Sequence, residues 1–132
     1  QIQGFHPLAT YNFYERSLDY IQRSNPTRPF NILFFCEDVD YNDVIITINK
    51  LVGKFPNYTF TRASNQLTDW EQLLLMSCCH HNIIANSSFS WWGAYFNSSV
   101  DKIVCYPSVW FGPVAKIDTR DLCPKEWTKI LV

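Results

Sequence analysis

The stretch that decides the fold is "FNILFFCED", residues 30–38. Its apolar run is short, continuous and closed by two acids, Glu37 and Asp38. A strand that is apolar on both faces must be covered on both, the condition of a strand inside a parallel sheet. The flanking segments supply the covers. Upstream, "LATYNFYERSLDYIQRS" (8–24) spaces Tyr11, Tyr14, Leu18 and Ile21 by three and four, which predicts an amphipathic helix ending before the breaker "NPTRP". Downstream, "DYNDVIITINKLVGKF" (40–55) restores helical spacing through Val44, Ile48, Leu51 and Val52, with Asp40 as N-cap and Pro56 as stop. The β-branched run Val44 to Thr47 opposes a helix only weakly, and tertiary packing overrides such preferences.

The same alternation continues. "YTFTR" (58–62) reads as a second strand, and "TDWEQLLLMSCCH" (68–80) as a helix opened by Thr68 and Glu71, the spacing of a capping box. "NIIA" (82–85) reads as a third strand, "SFSWWGAYFNS" (88–98) as a short helix and "KIVCYP" (102–107) as a fourth strand stopped by Pro107. The tail "DLCPKEWTKILV" is expected to add a short helix from Pro124, because proline is tolerated in a first turn. The sum is one α/β domain over residues 1–132, a Rossmann-like, doubly wound parallel sheet with helices on both faces.

Composition removes several alternatives. Charged residues are 17% of the 132 and the net charge is -1, so neither disorder nor attraction to nucleic acid is expected. No apolar run approaches the ~20 residues that span a bilayer, and the amino terminus has no basic stretch before an apolar one. Any membrane attachment would come through an anchor outside these residues. Cys36, Cys78, Cys79, Cys105 and Cys123 are odd in number and include a vicinal pair, a poor disulfide framework. Cys36, Cys78 and Cys105 lie in apolar stretches and read as buried, reduced small hydrophobes, which points to a reducing compartment.

In a doubly wound sheet ligands bind at the carboxyl ends of the strands. Two such ends are chemically loaded. Glu37 and Asp38 leave the first strand, where acids can accept from a ribose or a base or orient a basic group; capping the next helix is the plain alternative. Asn86, Ser87, Ser88 and Ser90 cluster where the third strand turns into a helix, an arrangement that suits a phosphate or a plain serine cap. The glycine pattern and lysine of a P-loop are missing. Trp91 and Trp92 point about 100° apart on a helix, so one belongs to the core and the other can line a cleft. "CCHH" (78–81) offers metal-ligand types, but four consecutive residues splay around a helix, so no metal is expected. His80 and His81 read instead as helix-end residues favouring its negative end. Asn57, Asn86 and Asn97 each begin a glycosylation tripeptide, read as chance matches in an asparagine-rich chain.

"LLLMSCCHHNIIANSSFSWWGAYF" (73–96) resembles the signature of the family 11 glycosyltransferases, the alpha-1,2-fucosyltransferases. "LFFCED" is similar to that family's Phe-Ser-Asp-Asp strand end, and "KIVCYPSVWF" and "DLCPKEWTKI" are similar to its later segments, so the likeness spans nearly the whole chain. The resemblance implies the carboxy-terminal nucleotide-sugar domain of a GT-B-like, inverting, metal-independent enzyme that binds GDP-fucose and moves L-fucose to a glycan, alpha-1,2 to galactose. It requires no cofactor. It implies donor-binding roles for Asp69, matched to an acid that pairs with guanine, for Ser87, Ser88, Phe89 and Ser90 beside the β-phosphate and fucose, and for Asp38 as the second acid of the pair. Asn86, Trp91 and Glu37 complete the expected donor set.

The chain departs from the family in having Cys36 and Glu37 where the family has Ser and Asp, and in lacking the His-x-Arg-Arg-Gly-Asp motif whose arginine neutralises the diphosphate. That motif normally precedes the segment resembling "FHPLATYNFYERSLDYI", and no catalytic residue is assigned within the chain. The expectation is a donor-binding half that is inactive alone, with Arg62 as the one tempting basic group at a strand end. The competing expectation is a non-catalytic nucleotide- or glycan-binding module. The setting is cytoplasmic for the chain as it stands, or the Golgi lumen were it part of an animal membrane enzyme.

Overall fold

A computed structural model describes residues 10–85, 87–108 and 123–131. The chain runs through α1 (Tyr11–Ser24), β1 (Asn31–Phe34), α2 (Tyr41–Lys54), β2 (Thr59–Arg62), α3 (Asp69–Ser77), β3 (Asn82–Ile83), α4 (Ser88–Tyr95), β4 (Val104–Pro107) and β5 (Thr128–Ile130). Every strand pairing is parallel: β1 with β2, and β3 with β4 with β5. Phe30, just before β1, meets the ring of His81, just before β3, edge-on at 5.4 Å. Ile83 of β3 packs against the core under β1 and β2 as well as the core under β4 and β5. Instead of the single doubly wound sheet expected, the described strands form two separate parallel ladders, β1-β2 and β3-β4-β5, which meet through Ile83 and the Phe30–His81 contact rather than through strand pairing.

Alternation along β4 shows how both faces are covered. Val104 and Tyr106 pack with Ile84, Trp91 and Ala94 on the α4 side. Cys105 points the other way, to Phe13 and Ile21 of α1 and to Ile130 of β5. The α1 side continues under β1 and β2, where Leu18, Ile48, Leu51, Phe55 and Tyr58 form the largest cluster. Burying a side chain such as Phe13, which is fully inaccessible, stabilises by about 1.5–3 kcal/mol. The buried stripe of α1 is turned toward Phe13 and Ser17, while Tyr11 is only half-buried. In α2, Val52 faces solvent rather than core.

Two expectations about chain ends fail. Residues from Pro124 form a turn closed by the Trp127 N–H donating to the Pro124 carbonyl at 3.1 Å, and the chain then enters β5. Pairing with β4 satisfies those backbone groups, which a three-residue segment this short cannot advertise in its periodicity. α3 ends at Ser77, before the histidines. His81 Nδ1 accepts the Ile103 N–H at 2.9 Å, and burial, with His80 and Arg28 nearby, holds its pKa below the usual histidine value. His81 is therefore a neutral acceptor tying β3 to β4, not a cation at a helix end.

α3 and α4 pack closely through Gly93, where an added Cβ would lie 2.9 Å from Met76 Cβ. Beyond α4, Lys102 Nζ donates to the carbonyls of Ala94 (2.9 Å) and Asn97 (2.6 Å), a cationic cap at the negative end of the helix. The cysteines are all unpaired. Cys105 is buried and its thiol is pushed up to about 12 by desolvation, offset in part by the Ser17 hydroxyl. Cys36 is half-buried, whereas Cys78 is exposed, contrary to its apolar surroundings in sequence. No helix among the described residues is long and apolar enough to cross a membrane.

Candidate functional site

Because each ladder is parallel, the segments leaving β1 and β2 emerge together at the carboxyl edge of the first ladder, and those leaving β3 and β4 at the carboxyl edge of the second. The strand order turns from β1 outward to β2 and from β3 outward to β4, so the gap between β1 and β3 has the character of a topological switch point. The two loaded strand ends of the sequence, and Asp69 of the family resemblance, follow these strands.

After β1 the chain passes Glu37 and makes a single 3-10 turn over Asp38–Asp40 before α2. Asp40 stands at the N-cap of α2 but makes no side-chain cap bond. Asp38 is not a cap either. Its Oδ1 accepts from Arg62 Nη2 at 2.7 Å and from Asn65 Nδ2 at 3.1 Å, and its Oδ2 accepts from the same Asn65 nitrogen at 3.2 Å. The Arg62 bond, with Asn65 next, holds the Asp38 carboxyl below the usual carboxylate range. Arg62 also donates to the Cys36 carbonyl at 3.1 Å and lies over the Tyr41 ring at 4.8 Å.

The next helix starts as read. Thr68 Oγ1 accepts the Glu71 N–H at 3.2 Å, and Glu71 Oε1 accepts the Thr68 N–H at 2.9 Å. Donation to the Glu71 carboxylate by the Thr68 N–H, and next by the Thr68 hydroxyl, lowers the Glu71 pKa. Asp69 is the first residue of α3, with its side chain exposed at the positive end of the helix.

At the third strand end Ser87 caps α4, accepting the Ser90 N–H at 3.1 Å. Its hydroxyl lies 3.1 Å from the Ser90 hydroxyl, which also reaches the carbonyls of Ser87 and Ala85 at 3.1 and 3.3 Å. Ser87 and Ser90 thus spend their hydroxyls largely on the turn, and Ser88 is the exposed hydroxyl of the cluster. Phe89 is half-buried, and Asn86 lies outside the described residues. Of the two tryptophans, Trp91 belongs to the core: it stacks on Tyr95 at 5.1 Å, meets Trp127 at 5.5 Å and hydrogen-bonds the Cys123 thiol. Trp92 is the exposed one, stacked on Phe96 at 5.6 Å. Trp91 therefore bears on the edge by fixing the start of α4.

The structure places Glu37, Asp38, Asp69 and Ser87–Ser90 after the carboxyl ends of β1, β2 and β3, and the histidines at the amino end of β3. Sequence reading missed Asn65 entirely and left Arg62 without a partner. Among the described residues no three His, Cys, Asp or Glu side chains group so as to hold a metal ion.

Fold and edge together define a Rossmann-like α/β domain with polar helix starts at the carboxyl ends of its strands. The chain belongs to glycosyl transferase family 11, whose model matches residues 6–130. It is 36% identical over 107 residues to the O-antigen biosynthesis glycosyltransferase WbnK of Escherichia coli, a match covering 81% of this chain and 33% of the relative. It is 31% identical over 125 residues to an alpha-1,2-colitosyltransferase of Escherichia coli, covering 95% of this chain and 40% of the relative. The chain thus spans well under half the length of these relatives. No solved structure matches it.

Proposed function

We propose that this chain is the donor-binding part of an inverting, metal-independent glycosyltransferase that takes L-fucose from GDP-fucose and delivers it to a glycan hydroxyl, O2 of galactose in the first instance. The observation that supports the reading is that the Glu37–Asp38 turn, the Asp69 helix start and the Ser87–Ser90 helix start each follow the carboxyl end of a parallel strand. An ionised carboxylate at Asp69 can accept from the two adjacent N–H donors of guanine, N1 and N2, which adenine and uracil do not offer together. Ser88 and the first-turn N–H groups of α4 suit the β-phosphate.

Departure of GDP builds negative charge on that phosphate, and without a metal a cation must stabilise it. Arg62 is already paired with Asp38. In this reading the cation comes from outside these 132 residues, as does the base that activates the acceptor, and the chain alone binds donor without turning it over. That pairing equally favours a second reading, a nucleotide- or glycan-binding module without catalysis. The alpha-1,2 linkage has the support of one relative's name, which gives colitose as that relative's sugar.

Calorimetry tests the nucleotide. GDP should bind at least about tenfold more tightly than ADP or UDP, the order expected for a carboxylate that reads two N–H donors, and Asp69→Ala should remove the preference. Equal affinity for the three nucleotides would contradict the donor assignment. Fucosyl transfer by the longer protein carrying this chain, assayed on a galactoside, separates the enzyme from the module.

A further inference from the structure

We infer that Arg62 and Asn65 are positioning residues of this edge: they clamp the Asp38 carboxylate so that one acceptor site on Oδ2 remains for a hydroxyl of the bound nucleotide sugar. The inference rests on the donor reading above and assigns its second acid a geometry.

Register puts the clamp in place. Phe34, the last residue of β1, is paired with Arg62, the last residue of β2, so the guanidinium emerges beside the point where the chain leaves β1. From there one nitrogen, Nη2, reaches both the Cys36 carbonyl and Asp38 Oδ1, at 3.1 and 2.7 Å. The guanidinium plane lies over Tyr41, the first residue of α2, at 4.8 Å. Asn65, in the segment between β2 and α3, holds both carboxylate oxygens with one amide nitrogen, at 3.1 and 3.2 Å. A single arginine and a single asparagine thereby join the end of β1, the start of α2 and the approach to α3.

Stability alone does not explain the arrangement. The Asp38 side chain is 71% exposed, and an ion pair with so exposed a member contributes little to folding. What the clamp does fix is direction. A carboxylate offers about four acceptor sites. Three are filled here, two on Oδ1 and one on Oδ2, so the remaining site lies on Oδ2 of a largely exposed side chain. Held as an anion by two donors, Asp38 can accept from a hydroxyl but cannot donate to a phosphate, so a ribose or sugar hydroxyl is the partner its chemistry selects.

The test is calorimetry of GDP and GDP-fucose with the chain and its variants. Asp38→Asn and Arg62→Gln should each weaken binding by about tenfold, and the double variant should be no weaker than the poorer single, because both remove one contact. Arg62→Lys should recover binding only in part, ahead of Arg62→Gln, since an ammonium keeps the charge beside Asp38 but not the planar stack on Tyr41. Asn65→Ala, at an exposed position outside the core, should weaken binding by about threefold without altering the fold. In both Arg62→Gln and Asn65→Ala the Asp38 carboxyl carbon should titrate at higher pH by NMR. Undiminished binding in Arg62→Gln and Asn65→Ala, or losses that multiply to about a hundredfold in the double variant, would overturn the inference. The two levels separate cleanly. Failure of the unmodified chain to bind GDP overturns the donor reading and this inference with it, whereas a GDP preference that Asp69→Ala removes, with binding left intact by both Arg62→Gln and Asn65→Ala, overturns only the clamp.

Discussion

At the amino ends of β3 and β4 the polar groups close on one another, although the Tyr58 hydroxyl before β2 is buried without a partner among the described residues; at the carboxyl ends several are left open. Asn97 is 3% exposed, and its amide donates to the Cys79 carbonyl at 2.8 Å and to Asn82 Oδ1 at 2.7 Å while accepting the Ser99 N–H at 2.9 Å. Beside it His81 accepts from Ile103, and Arg28 meets His80 Nε2 at 3.1 Å while covering the Phe30 ring at 5.2 Å. At the opposite end Glu37, Asp69 and Ser88 face solvent, and Asp38 keeps an acceptor site free. The same residue types, amide, carboxylate and hydroxyl, thus stabilise the fold at one end and remain available to a ligand at the other. Burial decides which: an unmet polar group costs most where water cannot reach it.

Substitutions at the closed end should break stability and leave nucleotide binding alone. Asn97→Ala has the largest expected effect. It strands the Ser99 N–H and the Asn82 amide in a buried pocket and should lower unfolding free energy by about 2–4 kcal/mol in urea denaturation, with GDP affinity unchanged while the chain is folded. The same bonds explain why Asn97, though it begins a glycosylation tripeptide, cannot carry a glycan in the folded chain, whereas Asn57 is exposed.

Gly93→Ala comes next. The new Cβ would meet Met76 Cβ, which sits on helix backbone and cannot swing away, so α3 and α4 must separate, at a cost of about 1–3 kcal/mol. Both helices start at the ligand edge, so this variant sharpens the comparison: the melting temperature should fall, and nucleotide affinity should fall with it more than in Asn97→Ala.

The smallest effect is a pH dependence. The folded pKa of His81 lies below its unfolded value near 6.5, so the unfolded chain binds more protons and stability rises with pH across that window. The contribution is fully present above about pH 6.5 and is lost as the pH falls below it. Denaturation midpoints measured between pH 5 and about 7 should show this slope, and His81→Ala should flatten it.

Much of this was legible in the sequence, because it rests on local chemistry. The capping box of Thr68 and Glu71 and the serine cap at Ser87 are each written within a few residues, whereas "FNILFFCED" forms the strand read from it but is only half-buried, with Ile32 and Phe34 on the core and Asn31 exposed. What escaped depends on partners brought near by folding. Arg62 and Asp38 are 24 residues apart and meet only through the parallel register of β1 and β2. Ile103 lies 22 residues beyond His81, so the neutral ring could not be told from a helix-end cation. β5 carries three residues after a proline that equally opens a helix, and only its pairing to β4 defines it. The identity of the core tryptophan followed from Trp127, which no spacing relates to Trp91.

Amide chemical-shift mapping during a GDP titration tests the division of the sheet into a closed and an open end most directly. The account predicts shifts concentrated at Glu37–Asp38, Arg62–Asn65, Asp69 and Ser87–Trp91, with Arg28, His80, His81 and Asn97 unmoved. Shifts concentrated instead at the amino ends, around Arg28, Asn57 and Tyr58, would contradict it.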